Sequence, residues 1–227
     1  MITKTTTRPI LFSGEMVRAI LANRKSQTRR IIKPQPNCPA TMDSLTYRDR
    51  SCCIWPAEKP AEHGRHPDYF AACPYGKPGD RLWVREAWSP DHAAFYPNYP
   101  NVYRADSTGI DIEEGKVFSP EQNASYPFRW RPSIHMPRWA SRITLEITDI
   151  RVERLNDISE ADAKAEGVCG ALAAWDRVAG DKSTRGQWTA REEFRAVWEL
   201  INGPHSWAEN PWVWVVEFEK LEKTNAE

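Results

Sequence analysis

Ile20-Leu-Ala-Asn-Arg-Lys-Ser-Gln-Thr-Arg-Arg30 is the stretch on which the reading of this chain turns. Upstream of it, Met16, Val17, Ile20 and Leu21 recur at helical spacing, and Ser13 is a suitable N-cap, its hydroxyl able to accept an orphan amide of the first turn. Asn23 tolerates the left-handed conformation that ends a helix. The spacing therefore predicts a helix that stops near residue 22, followed by an exposed turn over Arg24 to Thr28. A strand follows from Thr28 to Lys33 and ends at Pro34 and Pro36. Turns between rigid elements are where side chains are presented for chemistry.

Outward from this stretch, a short strand precedes the helix at Pro9 to Phe12. Residues 34–78 read as an irregular insertion with eight prolines and four of the five cysteines. A loop of that length calls for a function, disorder or a staple. Gly76 to Asp80 is a tight turn into a strand, Arg81 to Trp88, in which Leu82 and Val84 alternate with Trp83 and Arg85. Residues 89–127 form a second, polar insertion with one strand at Val102 to Ala105, and Pro132 to Trp139 is expected to be extended. Ile143 to Leu155 is the longest β pattern, and its phase slips at Thr148-Asp149, the mark of a bulge.

Ser159 caps a short helix through Glu166, with Gly167 as its stop. Thr189 and Glu192 make a capping box for a second helix, whose apolar stripe is Phe194, Val197, Trp198 and Ile201. Trp212 to Phe218 is the last strand. Many short strands, few helices and no repeated strand–helix alternation indicate an α+β domain spanning 1–227, built on a small bent sheet or barrel with flanking helices.

The 227 residues balance 31 Lys/Arg against 31 Asp/Glu, so no global charge draws the chain to a polyanion. Residues 1–33 hold eight Lys/Arg against Glu15 alone. That local excess suits a compact anionic ligand, or simply a solvated basic face. Five cysteines, two of them adjacent, do not make a disulfide framework. With no apolar run resembling a signal peptide or a span, a reducing cytoplasm is the expected compartment. Most of the eleven tryptophans are expected in the core. One or two could instead stack on a base, at roughly 1–3 kcal/mol each.

Three groups of residues could carry chemistry. Lys25 and Thr28 form the first. A threonine hydroxyl needs an adjacent base to act as a nucleophile, and a lysine serves as that base when burial or like charges destabilise its ammonium. Arg24, Arg29 and Arg30 supply the like charges. On the residues alone, an exposed Lys/Thr pair reads equally well. The second group is Trp83, Arg85, Glu86, Ser133, His135 and Trp139. An aromatic ring beside polar edges could hold a flipped base, whereas the bland reading is core tryptophans with surface charges. The third is Cys38, Cys52, Cys53, His63, His66 and Cys73. Four of these could hold zinc, although no C-x-x-C spacing is present.

The stretch I-L-A-N-R-K-S-Q-T-R-R resembles the opening motif of the ASCH domain family, within the PUA-like superfamily. In particular it resembles that of the small bacterial N4-acetylcytidine amidohydrolases, which reads I-L-A-G-R-K-T-x-T-x-R. The turn Gly79-Asp80 before Arg81-Leu82-Trp83-Val84, the helix A-K-A-E-G and the closing W-V-V-E-F strand fit the same family in order. P-G-D-R-L-W-V-R-E and S-I-H-M-P-R-W-A-S-R further resemble longer ASCH proteins of bacteriophages and prophages, which implies the cytoplasm of a bacterial host. The resemblance implies a PUA-like β-barrel whose cleft takes a nucleoside or a single strand of nucleic acid, with no cofactor. It makes Thr28 the nucleophile on an acyl carbon, Lys25 its activator and Glu166 the proton donor to the leaving amine. A helix end at Glu166 would favour the protonated acid. The departures are Asn23 in place of glycine, the additional Arg29 and the two insertions, which could enlarge the pocket or abolish turnover. The other readings are a non-catalytic RNA-, DNA- or modified-base-binding module and a single-strand ribonuclease. The sequence offers no carboxylate cluster or histidine pair for the latter.

Overall fold

The structure is a computed structural model and describes residues 5–35, 44–48, 51–55, 71–90, 101–106, 112–113, 116–119, 124–168 and 188–222. In chain order these form β1 (Thr7–Leu11), α1 (Gly14–Leu21), β2 (Gln27–Ile31), β3 (Ser44–Arg48), β4 (Ser51–Trp55), β5 (Ala71–Ala72), β6 (Arg81–Arg85), β7 (Trp88–Ser89), β8 (Val102–Tyr103), β9 (Ile112–Glu113), β10 (Lys116–Ser119), β11 (Ala124–Pro127), β12 (Thr144–Arg154), α2 (Glu160–Ala165), α3 (Ala190–Asn202) and β13 (Trp212–Leu221). The protein is α+β. No helix among the described residues is long and apolar enough to cross a membrane.

Five strands make the main sheet, in the order β1-β6-β12-β13-β2, with β1 parallel to β6 and the other neighbours antiparallel. Its pairings do not close into a ring: β1 and β2 are edges. The edges nonetheless approach one another, because the guanidinium of Arg30 on β2 donates to the Leu11 carbonyl of β1 at 2.6 Å. The sheet is thus curled and left open along one seam.

β13 explains why the sheet has a core on each side. Trp212 to Val216 are all buried. Trp212, Trp214, Val216 and Phe218 pack on one face with Ile10, Phe12, Leu82, Leu145 and Ile150. Val213 and Val215 pack on the other with Leu155, Ile158, Phe194 and Trp198. A strand covered on both faces reads as a continuous apolar run, as this one does. In β12 the pairing jumps from Ile147 opposite Phe218 to Asp149 opposite Glu217. The extra residue, Thr148, resets the alternation, so Ile147 and Ile150 are both buried while Thr148 and Asp149 face solvent.

The helix ends are local. Ser13 accepts from the Met16 amide, Ser159 from the Asp162 amide, and Thr189 and Glu192 form a reciprocal capping box. The Glu160 carboxylate also accepts the Ala190 and Arg191 amides at 3.0 and 3.2 Å, tying α2 to the start of α3.

Several expectations change. The segment 34–78 is not wholly irregular, since β3, β4 and β5 form a three-stranded sheet. The 89–127 segment holds more than one strand, with β7 paired to β8 and β9, β10 and β11 in a sheet of their own. Pro132 to Trp139 is not extended. Pro132 and Pro137 each precede a single 3₁₀ turn, over Ser133–His135 and Arg138–Ala140, where a proline's missing amide is no loss. Arg24 to Thr28 is not an exposed turn, because Lys25, Gln27 and Thr28 are buried, and so is Arg29 beyond them.

Candidate functional site

Lys25 owes its position to the way two helices end side by side. Asn23 takes φ 54°, and the Arg24 and Lys25 amides both fold back to the Ala19 carbonyl at 2.8 and 3.2 Å. Lys25 then forms an antiparallel bridge with Glu166, the cap of α2, and the Ser26 amide donates to Ala165 O at 2.9 Å. Gly167 permits this closeness. Its φ is +79°, and a Cβ there would lie 2.8 Å from the Lys25 Cβ and 2.9 Å from the Ala19 Cβ. A side chain at that position meets both a disfavoured conformation and a filled space.

The charges meet at this seam. Lys25 Nζ donates to the Glu166 carbonyl at 2.9 Å and to Glu166 Oε2 at 2.8 Å, and the two side chains are 1% and 4% exposed. Arg29, whose side chain is fully buried, donates to Glu166 Oε1 at 3.3 Å and to Glu153 Oε2 at 2.8 Å, with Asp162 3.6 Å away. Arg151 continues the ladder to Glu153, Asp162 and Glu217. Two cations in contact outweigh the partial charge at the end of a six-residue helix as the field on Glu166.

Burial holds Lys25 below its ordinary pKa; the Glu166 carboxylate opposes that, and the Arg30 and Arg29 charges add to it. Asp162 is held below the usual carboxylate range. Burial pushes it up, but the Ser159 hydroxyl and the Arg29 and Arg151 charges outweigh that.

Strand alternation separates the ladder from the hydroxyl. Gln27, Arg29 and Ile31 face α2 and the second core, while Thr28, Arg30 and Ile32 face the first. Thr28 is buried opposite Val216. Lys25 Nζ and Arg30 Cζ lie 5.7 and 5.3 Å from the centroid of the same Phe12 ring, which belongs to the first core.

Between the edges β1 and β2 opens a cavity of about 800 Å³. Small-molecule pockets run from about 300 to 1,000 Å³. Lys25, Thr28, Arg29, Arg30 and Glu166 line it, with Arg24, Lys33 and Ser133. Its walls are apolar, built from Leu11, Phe12 and Met16 on one side and Val197, Trp198, Leu200 and Ile201 of α3 on the other. Ile201, expected in the core stripe, is instead 58% exposed beside this space, as is Leu200 at 59%.

The second expected group is not part of this lining, Ser133 excepted. Trp83 is half-buried with the Arg85 and Arg138 guanidinium groups over its ring. Glu86 is buried and takes a two-pronged contact from Arg142, at 2.9 and 3.0 Å; Arg142 also pairs with Asp106. Desolvation pushes the Glu86 pKa up, and Arg142 opposes it. His135 and Trp139 are exposed.

No family model, curated protein or solved structure matches the chain.

Among the described residues no group of three or more His, Cys, Asp or Glu is arranged to hold a metal ion. Cys38, His63 and His66 lie outside the described residues, as do the side chains of Cys52 and Cys53 on β4. Cys73 is a buried free thiol, and burial pushes its pKa up to about 11. The sequence reading missed Glu153, Asp162 and Arg151 behind Glu166, Arg142 on Glu86, and the α3 wall. Only the wall had a local signal, the adjacent Leu200-Ile201 at a helix end.

Proposed function

We propose that this chain is an ASCH-type amidohydrolase that removes an acyl group from the exocyclic amine of an N4-acylated cytidine. One observation carries the reading: Lys25, Thr28 and Glu166, 141 residues apart at the extremes, line one cavity, with Lys25 Nζ 2.8 Å from Glu166 Oε2. The sheet is curled and open between β1 and β2 rather than closed as a barrel, and the cavity lies at that opening.

The chemistry closes on these residues. The steps use the pair with its shared proton moved along the 2.8 Å contact from the Lys25 ammonium to the Glu166 carboxyl, which leaves the Lys25 amine free to accept a proton. The Thr28 hydroxyl attacks the acyl carbon and its proton passes to Lys25. Glu166 gives its proton to the departing cytidine nitrogen. Water then attacks the acyl-threonine ester, losing a proton to the Glu166 carboxylate, while the Lys25 ammonium returns one to Thr28. The free acid leaves and both groups regain their starting forms. Arg24, Arg30 and Lys33 at the cavity suit an anionic or acceptor-rich substrate.

Incubation with N4-acetylcytidine, followed by chromatographic loss of the acyl group, tests this. Turnover should fall about 10²–10⁴-fold in Lys25→Ala and Thr28→Ala. Turnover untouched by both substitutions would reject the site. A second reading, a non-catalytic base-binding module, draws support from the Lys25 amine already being engaged by two acceptors of Glu166. Saturable nucleoside binding without turnover would favour it.

A further inference from the structure

We propose that the surface carrying Trp139 holds a single strand of nucleic acid, with the Trp139 indole as the platform on which one base stacks. Trp139 is 69% exposed, the most open of the large hydrophobic side chains described. It is also held: its ring meets the buried Trp88 edge-on, with centroids 5.5 Å apart and planes at 89°. A fixed, open indole loses little rotamer freedom when a base stacks on it, and such contacts are tolerant of sequence.

Two guanidinium groups at the turns that present this ring, Arg85 and Arg138, have the sign a phosphate backbone needs. Arg142 is spent on Glu86 and Asp106. Arg85 and Arg138 are not spent that way. Arg85 donates to the Met136 and Ile134 carbonyls, which props up the turns that present Trp139, and Arg138 donates to the Thr144 hydroxyl. Among the described residues neither pairs with a carboxylate, so both keep their charge for an incoming anion. An acidic peptide would share that charge but would have no use for the open ring, which is why a base-bearing strand is the better occupant.

Ser133, in the first of the two turns, also lines the cavity and links the turns to its wall. Only this last link rests on the hydrolase reading. With it, the substrate becomes an acylated cytidine within a single strand, its base turned into the cavity while a neighbour stacks outside.

Fluorescence anisotropy with labelled oligo(dT) and oligo(U) of about twelve nucleotides, a length within the usual site sizes, tests the proposal. Either strand should bind, since stacking on an indole does not depend on the sugar. Trp139→Ala should weaken binding about tenfold or more, the loss of one stacked base. Arg138→Gln should weaken it less and lower the salt slope by about one unit between about 50 and 200 mM salt. Both side chains are exposed, and matching circular dichroism melts will show that the variants fold. No binding to either strand overturns the proposal, as does a duplex that binds as well as the strand. Displacement by polyglutamate with Trp139→Ala indifferent would also overturn it and assign the surface to an acidic protein. Strand binding that needs Trp139, in a protein that does not hydrolyse free N4-acetylcytidine, supports this surface and counts against the hydrolase alone.

Discussion

Two buried charge clusters flank the main sheet, and they differ in what they can do. In one, Glu86 and Arg142 face each other through two parallel contacts, Arg142 lies 4.0 Å from the centroid of the Tyr103 ring, and neither residue lines the described cavity. In the other, Lys25, Glu166 and Arg29 stand beside about 800 Å³ of open space. A buried ion pair is by itself weak evidence of either stability or function. The distinction lies in the cation. An arginine cannot shed its proton inside a protein, whereas a buried lysine can. The Glu86 cluster is thus a fixed clamp, and the Lys25 cluster is a clamp that can change its charge.

Removing one carboxylate from each cluster sets them apart most widely. Glu86→Gln leaves Arg142 charged, 18% exposed and with Asp106 as its remaining partner, so unfolding by urea should show a loss of about 1–3 kcal/mol that stays constant at any pH above the Glu86 titration. Glu166→Gln leaves Arg29 with Glu153, and Lys25 can become neutral. Its penalty should therefore depend on pH. Loss of the carboxylate lowers the Lys25 pKa further, so the variant's folded state gives up that proton before the intact protein does. The penalty shrinks by about 1.4 kcal/mol per pH unit across that window, and is constant once Lys25 is neutral in both. Equal, pH-independent losses would erase the distinction.

Gly167→Ala acts on one side only. The new methyl meets Lys25 and Ala19 inside 3 Å, and the residue keeps a positive φ. A loss of about 1–3 kcal/mol follows, with displacement of Lys25 and hence a fall in turnover of N4-acetylcytidine beyond the loss of folded protein. Full turnover per folded molecule would mean that the Lys25–Glu166 seam tolerates movement, and that its geometry is not tuned.

What the sequence disclosed was whatever lies within a few residues of its cause. The caps at Ser13, Ser159 and Thr189, the positive φ of Asn23 and the bulge at Thr148 each follow from one side chain or one break in alternation. The burial of Lys25 and Arg29 does not, because the carboxylates that make it tolerable, Glu153, Asp162 and Glu166, lie more than 120 residues away. A basic stretch with no nearby acid reads as exposed, and the exposed turn was the natural and mistaken expectation. The trio Lys25, Thr28 and Glu166 came from a family resemblance, not from spacing. The small sheets of the two insertions escaped because strands of two to five residues carry too little alternation to be told from a loop.

The finest separation of the two clusters comes from Ser159. Its hydroxyl accepts the Asp162 amide at 3.0 Å and donates to the Asp162 carboxylate at 2.7 Å, so it both starts α2 and helps keep Asp162 ionised. Ser159→Ala should lower stability by about 1 kcal/mol near neutral pH, the usual loss for an N-cap. Asp162 sits below its ordinary value, so its contribution is complete above about 3.8 and fades as acid protonates it in the fold. The part of the Ser159→Ala penalty that passes through Asp162 should fade over the same range, leaving only the amide cap. Because Asp162 touches Arg29 and Arg151, the variant should also shift the pH profile of turnover slightly while leaving the Glu86→Gln penalty unchanged. Additive losses in the Ser159→Ala, Glu86→Gln double variant would show the two clusters to be independent, and a coupling above about 0.5 kcal/mol would show that the sheet transmits strain between them.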